Sequence, residues 1–336
     1  MNAFISILAA LIAFAITAIL GFAVIPYLHK LKFGQTIRED GPTWHNSKTG
    51  TPTMGGIMIA IGLLVSLIAS FSYAFFVSRN NIFGNNTEIT LVFAGIGLTI
   101  GMGFVGFIDD YIKVVKKRNL GLTAKQKTTL QLLVAAAYLT TLLLSGINTT
   151  WLPFVGDVSI TTGVGVIFWP IALMFIYGFT NAVNLTDGID GLASTVTLVV
   201  CCAFMLISVF ISKLGVNIFA CAAAGACLGF LVWNSHPAKV FMGDTGSLLL
   251  GGIVVSLAFS IGRPILLIAA GIMYIIEAFS VILQVAYYKK TKKRLFKMSP
   301  IHHHFEMSGY SEEKIVFLFS LITAIGCFIA VLPIII

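Results

Sequence analysis

Nine stretches of this chain run for 18 residues or more without an Asp, Glu, Lys or Arg: 1–29, 49–78, 89–108, 128–156, 158–186, 191–212, 214–238, 245–262 and 315–336. A bilayer core takes roughly 20 apolar helical residues to cross, and lipid tolerates no unpaired backbone polar group. Such a chain must fold as membrane-spanning helices. A tenth stretch, Pro264 to Ala286, is interrupted only by Glu277, and a single acid within a span is tolerated where it faces protein rather than lipid. The expected fold is therefore all-α, a polytopic integral membrane protein of ten spans, in one domain over 1–336. With 58% hydrophobic and 10% charged residues, against roughly 25% charged in soluble domains, a soluble fold is excluded. The first stretch opens Met1-Asn2-Ala3-Phe4 without a basic segment or a small-residue cleavage site, and reads as a retained helix rather than a signal peptide.

Basic residues mark the cytoplasmic loops of membrane proteins. In a ten-span layout, loops 26–52, 109–127, 184–190, 234–245 and 287–314 hold 18 of the 21 Lys and Arg, and the opposite side holds only Arg79, Lys213 and Arg263. That bias predicts both termini outside. All six histidines and ten of the thirteen acids also fall on the basic side, the exceptions being Glu88, Asp157 and Glu277. The positive-inside rule says little about acids or histidine, so a functional site on the cytoplasmic face is expected. The net charge of +8 needs no nucleic-acid partner, because membrane lipid headgroups and anionic substrates suffice. Five cysteines (Cys201, Cys202, Cys221, Cys227, Cys327) lie in apolar spans without a CxxC pair, and are read as packing rather than metal or disulfide positions.

The polar side carries four constellations and a lesser motif. Asp109-Asp110 closes the third span, with Lys113 one turn on if the helix continues. Paired acids there suit divalent-metal or phosphate chemistry, or simply mark the water line. Just upstream, residues 101–106 match GxGxxG without the strand and later acid of a dinucleotide fold; Gly97 and Gly101 read instead as close helix packing. The loop Asn184-Leu185-Thr186-Asp187-Gly188-Ile189-Asp190-Gly191 alternates acids with glycines, more than a turn requires. Asn234 opens a second loop through Phe241-Met242-Gly243-Asp244; Phe241 is placed to stack on a ring, and Asp244 is either a site carboxylate or the cap of the eighth helix. His302-His303-His304 follow a basic run from Lys289 to Lys297. Three consecutive histidines are a poor match to the i,i+4 zinc pattern and suit phosphate oxygens or proton relay better. Lys48 and Thr53, in the Lys48–Gly56 stretch, supply a base and a hydroxyl beside glycines, and no Walker loop occurs anywhere. Carboxylates facing phosphates repel them by about 4 kcal/mol per charge pair at 4 Å and an effective dielectric of 20. A bridging divalent cation follows, and oxygen ligands favour Mg²⁺ or Mn²⁺.

These runs, Asp109-Asp110-x-x-Lys113, Asn184-x-x-Asp187-Gly-x-Asp190-Gly, Phe241-Met-Gly-Asp244-x-Gly-Ser and His302-His-His-Phe-Glu306, resemble the polyprenyl-phosphate N-acetylhexosamine-1-phosphate transferases over essentially the whole chain. Thr51-Pro-Thr-Met-Gly-Gly56 and the histidine run are similar to the branch that uses a muramoyl-pentapeptide donor. The resemblance implies a homodimer in a bacterial cell membrane that transfers phospho-MurNAc-pentapeptide from UDP-MurNAc-pentapeptide to undecaprenyl phosphate, giving lipid I and UMP with Mg²⁺. By motif position, Asp244 would bind Mg²⁺, and Asp109, Asp110, Asp244 and His302 would be catalytic. Asn184, Asp187, Asn234 and Phe241 would hold the uridine side, with Lys48, Thr53, Lys113 and Lys125 at the phosphates. Asp190, His303 and His304 complete the expected substrate-binding set. A sister enzyme using UDP-GlcNAc is the near alternative. A transporter is the distant one, since it calls for mid-depth acids and inverted repeats, and only Glu277 answers.

Overall fold

A computed structural model describes residues 2–30, 48, 50–78, 86–115 and 121–336. His45, Arg79 and most of the first basic loop lie outside them. Among the described residues, ten helices are long and apolar enough to cross a membrane, as the hydropathy pattern requires. They are α1 (Asn2–Lys30), α2 (Gly56–Ser78), α3 (Asn86–Val115), α4 (Ala124–Leu144), α5 (Phe168–Thr186), α6 (Leu192–Phe210), α7 (Leu214–Asn234), α8 (Gly243–Ser260), α10 (Ile272–Thr291) and α12 (Glu312–Ile335). Two short helices, α9 (Leu266–Ala270) and α11 (Ile301–Glu306), lie between the last of them. The stretch expected to span from Pro264 to Ala286 is thus divided at Gly271, and its crossing helix runs from Ile272 to Thr291.

The connection from α4 to α5 holds a feature the sequence reading did not anticipate, an antiparallel hairpin of β1 (Thr149–Leu152) and β2 (Gly156–Ser159), with Thr149 opposite Ser159. The Arg263 guanidinium stacks over the Trp151 ring at 4.6 Å, joining this hairpin to the loop after α8.

Helices α7 and α8 are buried almost all round and form the centre. Their sequences are rich in Gly, Ala and Ser rather than bulky residues, which lets neighbouring backbones approach. The seam of α3 with α8 is the most extensive helix contact. Ser256 Oγ donates to the Gly95 carbonyl at 2.7 Å, and Ser260 Oγ to that of Leu91 at 2.9 Å. In lipid such bonds hold helices together where no hydrophobic force between them exists.

At the site end of this seam the backbones almost touch. A Cβ at Gly106 would fall on the Asp244 carbonyl group. The expected packing glycines behave differently: Gly101 packs on the Val134 side chain of α4, whereas Gly97 faces open space. Four cysteines are buried and Cys202 is exposed on α6; all five are free. Gly106→Ala is accordingly expected to lower the thermal midpoint in detergent by several degrees. Gly97→Ala should leave it unchanged or slightly raised, since alanine gains about 1 kcal/mol over glycine within a helix. Equal midpoints for the two variants would contradict the close approach.

Candidate active site

The site grows out of one helix end. Helix α8 starts at Gly243, and its N-cap, Met242, makes no side-chain cap bond. The orphan N–H groups of its first turn are taken by Asp110, whose Oδ1 accepts from Asp244 N at 3.2 Å and whose Oδ2 accepts from Thr245 N at 2.8 Å and Thr245 Oγ1 at 2.7 Å. The capping expected as one account of Asp244 is thus performed by a carboxylate of another helix. Asp244 lies in the first turn with its carboxylate directed to Lys113, Lys127 and Asn184.

Entry to α8 is held from a second direction. Phe241 N donates to the Pro52 carbonyl at 2.8 Å, and Gly55 N and Gly56 N donate to the Phe241 and Met242 carbonyls, both at 2.9 Å. This lays the start of α2 along the loop. Gly243 has φ +69°, and a Cβ there would meet both Asp110 Oδ2 and Thr53 Oγ1. Only glycine fits this turn, and its absent side chain brings Thr53 beside the carboxylates.

Asp109, Asp110 and Asp244 bring carboxylate oxygens within 4.8 Å of one another. Lys113 Nζ reaches all three: Asp109 Oδ2 at 2.7 Å, Asp110 Oδ1 at 3.5 Å, and Asp244. Asp109 Oδ1 also accepts from Leu122 N at 2.7 Å. Lys127, absent from the expected set, lies 3.2 Å from Asp244 Oδ1 and 3.8 Å from Asp109 Oδ2. It is placed by a capping box in which Thr123 Oγ1 accepts from Gln126 N and Gln126 Oε1 accepts from Thr123 N. Lys125 is exposed on the same first turn. Two lysines in three residues were visible in the sequence, but only the helix phase shows which one faces inward. Asn184, at the end of α5, donates to Asp244 Oδ1 at 2.7 Å and to Ser247 Oγ at 2.6 Å. Asp244 is the most accessible of the three acids, its side chain 15% exposed against 5% and 3% for Asp109 and Asp110.

Other expected residues gather apart from this cluster. Lys48 Nζ bonds Asp190 Oδ1 at 2.8 Å and Glu312 Oε1 at 2.6 Å, while Asp190 Oδ2 contacts His236 Nδ1 at 2.9 Å and accepts from Ala238 N at 3.0 Å. Asp190 N donates to Glu312 Oε2 at 2.9 Å. Glu312 and His236 were missed as partners because their helix ends are far apart in sequence. Asn234 spends its amide on backbone, accepting from Gly191 N and donating to the Val240 carbonyl. Phe241 is half-buried. The three histidines of α11 take separate partners: His302 Nδ1 contacts Glu277 at 3.0 Å, His303 Nδ1 contacts Glu306 at 2.6 Å, and His304 Nδ1 accepts from Lys297 N at 3.2 Å, while the His302 and His303 ring centres lie 4.1 Å apart.

Asp187 stands between the two acidic groups. Burial, and beyond it the carboxylates of Asp244, Asp110 and Asp190, push its carboxyl from an ordinary 3.8 up to about 8. The arrangement is one of hard oxygen donors with lysines set among them, suited to holding a divalent cation against phosphate oxygens.

A family model described as glycosyl transferase family 4 matches residues 90–262, the portion from α3 through α8 that carries the carboxylate cluster. The class is thus a membrane-embedded transferase of that family. Full-length relatives are more specific: the phospho-N-acetylmuramoyl-pentapeptide-transferase of Clostridium perfringens (strain SM101 / Type A) is 45% identical over 96% of this chain and 95% of its own. That of Halalkalibacterium halodurans is 46% identical over 93% and 92%, and that of Bacillus thuringiensis 44% over 96% and 95%. The chain belongs to the phospho-N-acetylmuramoyl-pentapeptide-transferase family, as a multi-pass protein of a bacterial membrane.

Two outcomes follow from the geometry. Lys127→Ala should lower kcat/KM by roughly tenfold or more, the loss of one charge-assisted contact of about 1.5–3 kcal/mol, whereas Lys125→Ala should change it less than about twofold; the reverse order in an activity assay would refute the placement. For Asp187 the raised carboxyl means that the folded protein keeps a proton which the unfolded chain releases above the ordinary 3.8. Its cost is absent below that value, grows as pH rises, and is complete above about 8. In EDTA, Asp187→Asn should therefore gain thermal stability over the parent progressively from pH 5 to 8 and no further above it, and parallel melting curves would deny any ionisation cost.

Proposed function

We propose that this chain transfers phospho-MurNAc-pentapeptide from UDP-MurNAc-pentapeptide to undecaprenyl phosphate, releasing UMP and leaving lipid I in the membrane. The observation that carries this reading is the Asp109, Asp110 and Asp244 cluster closed by Lys113 and Lys127, at one end of a ten-span bundle. The full-length relatives named for this transferase support the choice of donor. The excess of Lys and Arg on the side of the cluster favours the cytoplasmic face, where a nucleotide donor is available, with both termini opposite.

In this reading a phosphate oxygen of the lipid attacks the β-phosphorus of the donor, the bond from that phosphorus to the oxygen of the α-phosphate breaks, and UMP departs with the electron pair. Asp109, between Lys113 and Lys127, takes the proton of the lipid phosphate. Lys113 and Lys127 are placed to hold phosphoryl oxygens when the carboxylates release them. Asp110 keeps α8 seated and so aims Asp244. Asn184 fixes the rotamer of Asp244 through its 2.7 Å bond.

The residues fit Mg²⁺. Their converging donors are hard oxygens, Asp244 is the most accessible, and Lys113 already sets a positive charge among all three acids. Asp244, with the remaining lone pairs of Asp109, would hold the ion, which would supply charge neutralisation for the pyrophosphate and the departing UMP. A route in which an aspartate attacks first predicts a covalent phospho-enzyme. Trapping such a species without lipid would count against direct attack.

The test is UMP release by purified protein in detergent with undecaprenyl phosphate. Release is expected with UDP-MurNAc-pentapeptide and Mg²⁺, abolished by EDTA, and reduced at least about a hundredfold by Asp244→Ala. Release with UDP-GlcNAc would instead assign the sister activity, and release unaffected by Asp244→Ala would reject the site.

A further inference from the structure

Glu277, the acid that interrupts an otherwise apolar span, is wholly buried, as is His302, and the two meet at 3.0 Å through Oε1 and Nδ1. Their remaining polar atoms, Glu277 Oε2 and His302 Nε2, have no hydrogen-bond partner among the described residues. An unpartnered buried polar atom costs about 1–3 kcal/mol, so two of them on one ion pair call for a physical reason. The direction of Nε2 is defined by Gly188, where a Cβ would fall on that nitrogen. Nε2 therefore faces the turn after α5, whose neighbouring residues are Asp187 and, within the last turn of α5, the Asn184 that holds Asp244.

Charge balance decides where the protons are. A neutral imidazole beside an ionised Glu277 would leave a net negative charge in the bundle interior with no Lys or Arg paired to it among the described residues, and an uncompensated buried charge costs several kcal/mol. Two states avoid that cost without placing a proton on Glu277 Oε2; a third, protonated there while Nδ1–H donates to Oε1, is also neutral but strands an O–H that has no acceptor among the described residues. In one, His302 is an imidazolium against a carboxylate, with protons on both ring nitrogens. In the other, a protonated Glu277 donates to Nδ1 and the neutral ring carries its hydrogen on Nε2. These two states share one proton in the Nδ1 to Oε1 contact, and both put a hydrogen on Nε2.

We propose that Glu277 is the positioning residue of His302, fixing the ring through Nδ1 and holding Nε2 protonated, so that His302 presents an N–H donor to an anionic oxygen arriving at the 187–191 turn. Under the transferase reading, on which only this last assignment rests, that oxygen is a phosphoryl oxygen of the donor substrate. His302 then acts as a fixed donor rather than as a base. The absence of a side chain at Gly188 is what lets the ring edge approach the turn.

The first measurement needs no substrate: ¹H–¹⁵N correlation spectra of protein labelled with ¹⁵N-histidine, with His302 assigned by its loss in His302→Asn. A protonated Nε2 is expected, and a bare Nε2 in the parent protein would overturn the proposal whether or not UMP is released. Glu277→Gln is then expected to alter the His302 ring signals and to lower kcat by about tenfold to a hundredfold, the usual effect of losing an outer-shell partner of a functional histidine. The KM for UDP-MurNAc-pentapeptide should stay within about twofold, and Glu277→Asp should recover part of kcat. Unchanged His302 signals and unchanged kcat in Glu277→Gln would also overturn it. If that variant fails to fold, the parent spectrum alone decides.

Discussion

The structure turns on one contact between two membrane helices: a carboxylate at the end of α3 caps the first turn of α8. Asp110 supplies acceptors to Asp244 N, Thr245 N and Thr245 Oγ1, and so replaces the cap that Met242 does not provide. A buried helix start needs such a partner, because its first N–H groups have none within the helix. The helix dipole adds to the attraction for an anion there. This contact requires the backbones to meet, which Gly106 permits, and it commits Asp110 to structure while leaving the Asp244 carboxylate to Lys113, Lys127 and Asn184. The accessible carboxylate is thus a consequence of the way the seam is closed.

Charge is arranged around that seam in two separate groups. At one, Lys113 and Lys127 offset Asp109, Asp110 and Asp244. At the other, Lys48 lies between Asp190 and Glu312, with His236 beside them. Each lysine stands where carboxylates alone would repel one another, and removing one partner from such a group strands the rest. The 184–191 segment serves both: Asn184 is bonded to the first group and Asp190 belongs to the second. Asp187 lies between them and feels the acids of both sides. A displacement of this one turn would therefore be felt at both groups, since the same few residues of backbone carry contacts to each.

The remaining polar chemistry lies under the short helix α11. Its helical turn gives three adjacent histidines separate partners, sending His302 inward to Glu277 and His303 and His304 to Glu306 and the Lys297 backbone. A membrane interior imposes neutrality on such a buried pair more severely than water would, and this gives Glu277 a reason to be in a span at all.

Much of this was legible before any coordinate. The number of spans, the lopsided distribution of ionisable residues and the motif runs around Asp109, Asn184, Asp244 and His302 are properties of local sequence, because the length of an apolar run alone decides whether a helix can cross a bilayer. The sequence also marked Glu277 as anomalous, though not what it pairs with. Tertiary structure alone decided that Asp110 rather than Asp244 serves α8 as a cap, that Lys127 rather than Lys125 faces the carboxylates, that Lys48 joins Asp190 and Glu312, and that Gly106 rather than Gly97 marks the close approach. Each of these depends on helix phase and on which helix ends meet, between residues as far apart as 110 and 245 or 48 and 312. Such meetings are set by the packing of whole helices, which no local pattern encodes.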